Sequence, residues 1–273
     1  MKKPNLYSLA LEALVELAPE IAASRENPLP VPPSLEEVLA SLGPLPPQVL
    51  FLGLADDGLP VLLNLHDPVP GPLLVSGDAG SGKTAFLQNI AEAVVAMHDP
   101  ADVQFGVVTA YPEEWDEVDG SAHCAGIFPS HHKSAMDFIL SLGAWAHANK
   151  TRQSVILLLD DLTRIEDADQ ETKDNLRWLL LRGVSRKVWP IATLNPGMTQ
   201  NILPWLDLFR TRIFGAIMDD QNTEFLTKLP GAELDSLIPG IQFTMREGTQ
   251  WLRFWIPQND RGEPHGTRNA LVR

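Results

Sequence analysis

The chain has 273 residues, 44% of them hydrophobic, enough for one large domain or one domain with a small appendage. Its formal net charge of −14 argues against a surface coated in nucleic acid, which takes a basic patch or stripe, although a ring of Lys and Arg can sit on an acidic body. The single cysteine, Cys124, leaves no pair for a disulfide within these residues and fits a reducing cytoplasm.

Met1-Lys2-Lys3 has the basic start of a signal peptide, but Glu12 and Glu16 interrupt the apolar stretch that would have to follow. Residues 5–24 read instead as an amphipathic helix, with Leu6, Leu9, Ala13 and Leu17 at helical spacing and Glu12, Glu16 and Glu20 on a solvated face. Pro28, Pro30, Pro32 and Pro33 form a stiff linker, a short helix is expected around Leu35–Leu42, and Pro44, Pro46 and Pro47 end it. No apolar run approaches the roughly 20 residues that a membrane-spanning helix needs. The sequence therefore reads as soluble and cytoplasmic, without membrane insertion.

From Val49 onward short apolar runs alternate with helical stretches, the pattern of a mostly parallel sheet covered on both faces. The expected strands are Val49–Leu54, Val61–Leu65, Leu73–Ser76, Val103–Thr109, Val155–Asp160, Val188–Thr193 and Thr211–Ile217. The expected helices are Lys83–Met97, Ser134–Ala148, Gln170–Val184 and Asn222–Lys228, and a strand pair near Gln242–Arg246 and Gln250–Trp255 closes the domain. Three regions follow: an N-terminal helical segment with its Pro-rich linker (1–47), an α/β domain (48–257) and a tail (258–273).

Gly77-Asp78-Ala79-Gly80-Ser81-Gly82-Lys83-Thr84 satisfies G-x-x-x-x-G-K-[ST], with an apolar strand running in and an amphipathic helix leaving. The glycines let the loop curl so that successive backbone N–H groups point at phosphates beside a positive helix end. Lys83 supplies a mobile charge to those phosphates, and the Thr84 hydroxyl can ligate Mg²⁺. A chance match in a chain this long is on the order of one in a hundred. The expected ligand is ATP with Mg²⁺.

Ser154–Asp161 supplies the other half: an apolar strand ending in acid, at the carboxyl edge where open α/β sheets take ligands. Asp160 is the expected Mg²⁺ partner. Asp161 stands where many ATPases carry a Glu that polarises the attacking water. Aspartate is one methylene shorter, and a base about 3 Å from its water tolerates such a retreat poorly, so slow hydrolysis is expected. Asn195, after the strand Trp189–Thr193, reads either as a γ-phosphate sensor or as an ordinary turn residue before Pro196.

Together these elements resemble the FtsK/SpoIIIE family, which includes DNA translocases and the ATPases of type VII secretion. The likeness runs over roughly Val49–Arg246. Leu52-Gly53-Leu54 with Gly58-Leu59-Pro60-Val61 resembles the lead-in strands, and Phe105–Thr109 with Gly126-Ile127-Phe128 the second and third strand region. Ile191–Pro196 is similar to the family's A-T-Q-R-P, Thr211-Arg212-Ile213 to its T-R-I, and Gly231-Ala232-Glu233 with Pro239-Gly240 to its closing segment. The resemblance implies a RecA-like P-loop NTPase fold, and assembly into a homo-oligomer, such as a ring, or with a partner ATPase or scaffold protein. The departures are Ala110-Tyr111-Pro112 for D-P-K, Asp160-Asp161 for D-E, Leu194-Asn195 for Q-R, and a missing arginine around Asp220–Thr223. They point toward the secretion ATPases, some of whose modules bind ATP with little turnover. The family's C-terminal winged-helix DNA-reading domain is not expected within these residues.

RecA-like ATPases usually bind ATP between subunits, with a neighbour's arginine stabilising transition-state charge. The resemblance makes Arg182 and Arg186 candidates for that role, with Arg210 and Arg212 as alternatives, against the reading of each as a solvated surface charge. His123, Cys124, His131 and His132 fit no standard zinc spacing, and Trp178, Trp189, Trp205, Trp251 and Trp255 read as packing residues. The leading expectation is an oligomeric, slowly hydrolysing ATPase module. Its rivals are a DNA translocase or packaging motor, and a non-motor scaffold whose assembly ATP controls.

Overall fold

A computed structural model describes residues 32–197, 202–228 and 232–258. The helix expected over residues 5–24, most of the Pro-rich linker and the tail from Asn259 lie outside the described residues.

The described chain begins with α1 (Leu35–Leu42), whose N-cap Ser34 and third helical residue Glu37 bond reciprocally in a capping box. Its inner face, Leu35 and Val38, packs with Phe51, Leu54 and Ala93. The strands follow as β1 (Val49–Ala55), β2 (Pro60–Asn64), β3 (Leu73–Ser76), β4 (Val103–Thr109), β5 (Cys124–Pro129), β6 (Ser154–Leu159), β7 (Val188–Leu194), β8 (Thr211–Phe214), β9 (Gln242–Glu247) and β10 (Gln250–Trp255). Between them run α2 (Lys83–Met97), α3 (Lys133–Ala148), α4 (Gln170–Trp178), α5 (Leu203–Leu206) and α6 (Asp220–Thr227).

All ten strands form one sheet in the order β2-β1-β10-β9-β8-β3-β7-β6-β4-β5. The block from β8 to β5 is parallel and the remaining pairings are antiparallel. Side chains alternate across the parallel strands, so successive residues enter opposite cores. Leu73, Val75, Ile156, Leu158 and Ile191 pack on α2 through Phe86, Leu87, Ile90 and Val94. Leu74, Leu157, Leu159, Ala192 and Leu194 pack on the other face with Ile139, Leu142 and Leu176. Because both faces are covered, β3 and β6 are buried from end to end and read as continuous apolar runs.

Three elements differ from the sequence expectation. The edge strand β5 is missing from the strands expected from apolar runs, because Cys124–Pro129 is only half-buried and lacks a strong apolar run; only the family resemblance placed a strand region at Gly126-Ile127-Phe128. The helix expected over Gln170–Val184 is α-helical only to Trp178, then widens into a π turn (Leu179–Gly183) and a 3₁₀ turn (Val184–Arg186). That widening lets Leu179, Leu180, Gly183 and Val184 all turn inward, with Gly183 close against the Val188 carbonyl. The strand expected to reach Ile217 stops at Phe214, where the chain bends over the end of β3: the Gly215 N–H donates to the Ser76 carbonyl at 2.8 Å.

Trp189 and Trp205 are buried in the core, Trp205 beneath the Arg177 guanidinium. Among the described residues no helix is long and apolar enough to cross a membrane.

Candidate nucleotide-binding site

The strand order brings the site together. β7 lies between β3 and β6, and β4 flanks β6 on its other side, so the carboxyl ends of four parallel strands meet at one edge. The loop Gly77–Gly82 leaves β3 at this edge and α2 begins at Lys83. Two backbone bonds strap the loop to its neighbours. Gly77 N–H donates to the Leu194 carbonyl at 3.2 Å, and Asp78 N–H to the Ala216 carbonyl at 2.9 Å. The Asp78 carboxylate then accepts the Met218 N–H at 2.8 Å, which fixes the segment after β8 beside the loop.

Gly82 is the N-cap of α2, at φ +90, and a Cβ there would stand 2.6 Å from the Gly240 Cα. Both the left-handed backbone and the close approach therefore call for glycine. No side chain caps α2, so its first amides and the positive end of its dipole remain available to an anion.

Lys83 Nζ donates to the carbonyls of Gly77 and Asp78, both at 2.7 Å. Burial pushes its pKa below the usual lysine value, while the charges of Asp160, Asp78 and Asp161 pull the other way. The Ser81 hydroxyl is buried within the loop without a partner. Lys83 bonded only to its own loop, open amides at α2 and an orphaned hydroxyl are features that fit a polyanion.

Asp160 follows β6, and three threonine hydroxyls surround it. Thr84 Oγ1 donates at 3.1–3.2 Å, Thr193 Oγ1 at 3.0 Å and Thr109 Oγ1 at 3.4 Å. Burial raises the Asp160 pKa above the ordinary carboxylate range, and the hydroxyls of Thr193, Thr84 and Thr109 oppose that rise. Thr109 and Thr193 were not singled out in the sequence. They close the two strands that flank β6, and the register pairs Val108 and Ala192 with Leu159, one residue before Asp160. A threonine at the carboxyl end of each flanking strand was the signal to look for.

Asp161 stands at φ +84 and caps the turn Leu162–Asp167. Its backbone N–H donates to Thr193 Oγ1 at 2.7 Å, and its carboxylate accepts from Thr163 and pairs with Arg164 Nε at 3.3 Å. Asn195 directly follows β7 at the same edge as the loop.

The arginines are elsewhere. Arg182 and Arg186 are exposed just before β7, at the amino edge of a strand parallel to β3 and so at the end opposite the loop. Arg210 is exposed at that same amino edge, folded over Gly71. Arg212 is half-buried and donates to the carbonyls of Leu226 and Leu206 at 2.8 and 2.9 Å, which commits it to holding α6 and α5 to β8.

This fold and loop define a RecA-like P-loop NTPase, a nucleotide-binding protein. The NACHT domain model matches residues 71–228, more than half of the chain, and the chain belongs to that family. By structure it is similar to Thermomonospora curvata EccC (ATPases 2 and 3, in complex with a signal sequence peptide), with a TM-score of 0.66 and 15% identity over 86% of this chain and 44% of that one. It is similar to EssC (ATPases 2 and 3) from Geobacillus thermodenitrificans, with a TM-score of 0.64 and 15% identity over 87% of this chain and 49% of that one. A further match is the pCW3 conjugation coupling protein TcpA, monomer form with ATPγS, at a TM-score of 0.60 and 14% identity, covering 83% of this chain and 70% of that one. The chain thus spans less than half the length of the EccC and EssC chains it matches. These matches bear out the FtsK/SpoIIIE-type P-loop ATPase fold that the sequence resemblance implied. No curated protein matches it by sequence.

Proposed function

We propose that this chain is an ATP-binding, slowly hydrolysing module of the FtsK/SpoIIIE type that works in an oligomer, its assembly strengthened by ATP. One observation carries the reading: Lys83 and Thr84, at the start of α2, face the half-buried Asp160 beside a helix N-terminus that no side chain caps. In this reading the loop amides and Lys83 hold the β- and γ-phosphates. Thr84 and Asp160, whose oxygens already lie within 3.2 Å of each other, are the residues that would hold Mg²⁺. Bound there, the ion supplies charge neutralisation at the phosphate oxygens. Thr109 and Thr193 orient the Asp160 carboxylate, and Asn195 is available at the edge as a polar contact for the terminal phosphate. TcpA, of like fold, was solved with ATPγS, which supports an adenine nucleotide.

The oligomer is supported by the arginines. Arg182 and Arg186 are exposed at the far end of the sheet from their own loop, so they can meet a phosphate only from a neighbouring copy. Arg212 is removed from that role by its carbonyl partners. The cytoplasm is the matching compartment. A −14 net charge opposes bulk DNA binding, whose affinity depends on phosphate neutralisation by clustered Lys and Arg.

A second reading, a scaffold in which ATP binding controls assembly and hydrolysis is vestigial, is favoured by the capture of the Asp161 carboxylate by Thr163 and Arg164. Turnover with and without DNA, measured beside sedimentation with and without MgATP, tests both. Slow turnover, indifferent to DNA, with ATP-promoted association supports the first. ATP-promoted association without turnover supports the scaffold. Tight DNA binding by a monomer indifferent to ATP contradicts both.

A further inference from the structure

The acid that would take the proton from water is not free in this fold. Asp161 Oδ1 accepts from the Thr163 N–H at 3.0 Å and from the Thr163 hydroxyl, while Oδ2 lies 3.3 Å from Arg164 Nε. Its backbone is held too, at φ +84 and with its N–H on Thr193 Oγ1. We propose that Arg164 is a positioning residue that keeps Asp161 in a resting arrangement, and that hydrolysis requires this pair to open; the inference rests on the ATP site described above.

In the step concerned, the water oxygen bonds to the γ-phosphorus and its proton passes to an Asp161 carboxylate oxygen. The bond to the β–γ bridging oxygen breaks, and its electron pair leaves on ADP. That transfer needs a carboxylate oxygen within hydrogen-bond reach of the water. Here both oxygens accept from the chain's own turn.

Arg164 is the tie best able to let go. Its side chain is 51% exposed against 38% for Asp161, and the two are three residues apart, so opening the pair needs only a rotamer change. Both residues also line a small apolar cavity of about 30 Å³, between the end of β6 and the helices α3 and α4, with Met136, Ile139 and Leu176. Thr172 also lines this cavity, which leaves the turn space beside it for a second arrangement.

The test uses the full chain and compares wild type with Arg164→Ala, Arg164→Lys, Asp161→Asn and the Asp161→Asn/Arg164→Ala double variant. Equilibrium MgATP binding and single-turnover hydrolysis are both measured. Arg164→Ala should raise the single-turnover rate about two- to fivefold, the range that one exposed ion pair spans, with MgATP affinity unchanged. Affinity for ADP with aluminium fluoride should rise by the same factor, since that complex mimics the transition state. Arg164→Lys should keep the slow rate, and the gain should vanish in the Asp161→Asn background. Thr163→Val, which loosens the other tie, should also speed turnover, and it decides the matter should Arg164→Ala fail to fold. An equal or lower rate in Arg164→Ala with binding intact, a gain that persists without Asp161, or no turnover in any variant would overturn the proposal. ATP binding that is indifferent to Lys83→Ala would instead bring down the site assignment, and the resting pair with it.

Discussion

Thr193 Oγ1 donates to Asp160 Oδ1 at 3.0 Å while accepting the Asp161 N–H at 2.7 Å, so one hydroxyl on β7 sets both acids at the end of β6. The parallel register, Leu159 opposite Ala192, makes this possible, because the next residue of each strand then meets across the edge. Thr193→Val keeps the shape and removes the hydroxyl. Metal-dependent ATP binding should weaken about 10- to 100-fold, as for other groups that orient a metal ligand. Fluorescent-nucleotide titrations with Mg²⁺ and with EDTA check this. An equal loss under both conditions would mean that the hydroxyl does not act through Asp160.

Asp160→Asn should separate stability from function. Burial raises the Asp160 pKa, so the folded state holds that proton more tightly than the unfolded chain. Stability from this group is then greatest below the unfolded value, about 3.9, and is lost as pH rises through the higher folded value. Asparagine stays neutral throughout. The nucleotide-free variant should therefore melt higher than wild type at pH 8, with the gap closing below about pH 4, and should lose metal-dependent ATP binding. Scanning calorimetry across that range reads the sign directly.

The loop glycines differ in what they forbid. Gly80 and Gly82 both have left-handed backbones, at φ +78 and +90, but a Cβ at Gly80 meets open space while one at Gly82 meets the Gly240 backbone. Gly80→Ala should cost about 1–2 kcal/mol from conformation alone. Gly82→Ala should cost more and should also displace the turn at Gly240. Urea denaturation of both variants measures the difference, and equal losses would show that the Gly240 contact is relieved easily.

Much of the fold was legible because the buried parallel strands leave a plain trace. The runs at Leu73–Val75 and Val155–Leu159 are apolar throughout since both faces are covered, and the loop motif between strand and helix pointed to the candidate site. β5 left no clear apolar run, because an edge strand needs few apolar residues, and only the family resemblance pointed to it. The π turn after Trp178 was invisible because its three inward residues still fit a helical pattern. At the candidate site, Lys83, Thr84 and Asp160 were picked out by motif and spacing, whereas Thr109 and Thr193 required knowing which strands flank β6. Arg212 was an alternative candidate because it matches the family's T-R-I strand; the packing of α5 and α6 against β8 shows its guanidinium donating to the carbonyls of Leu206 and Leu226.

The most direct measurement is equilibrium MgATP binding to wild type and to Lys83→Ala, by calorimetric titration at about 0.15 M salt, where screening is physiological. Lys83 Nζ lies 2.7 Å from two loop carbonyls, positioned to exchange them for phosphate oxygens. Removing it should weaken binding on the order of a hundredfold, about 2.7 kcal/mol, in a protein that still folds. Unchanged affinity in the folded variant would contradict the assignment of Gly77–Thr84 as the nucleotide site.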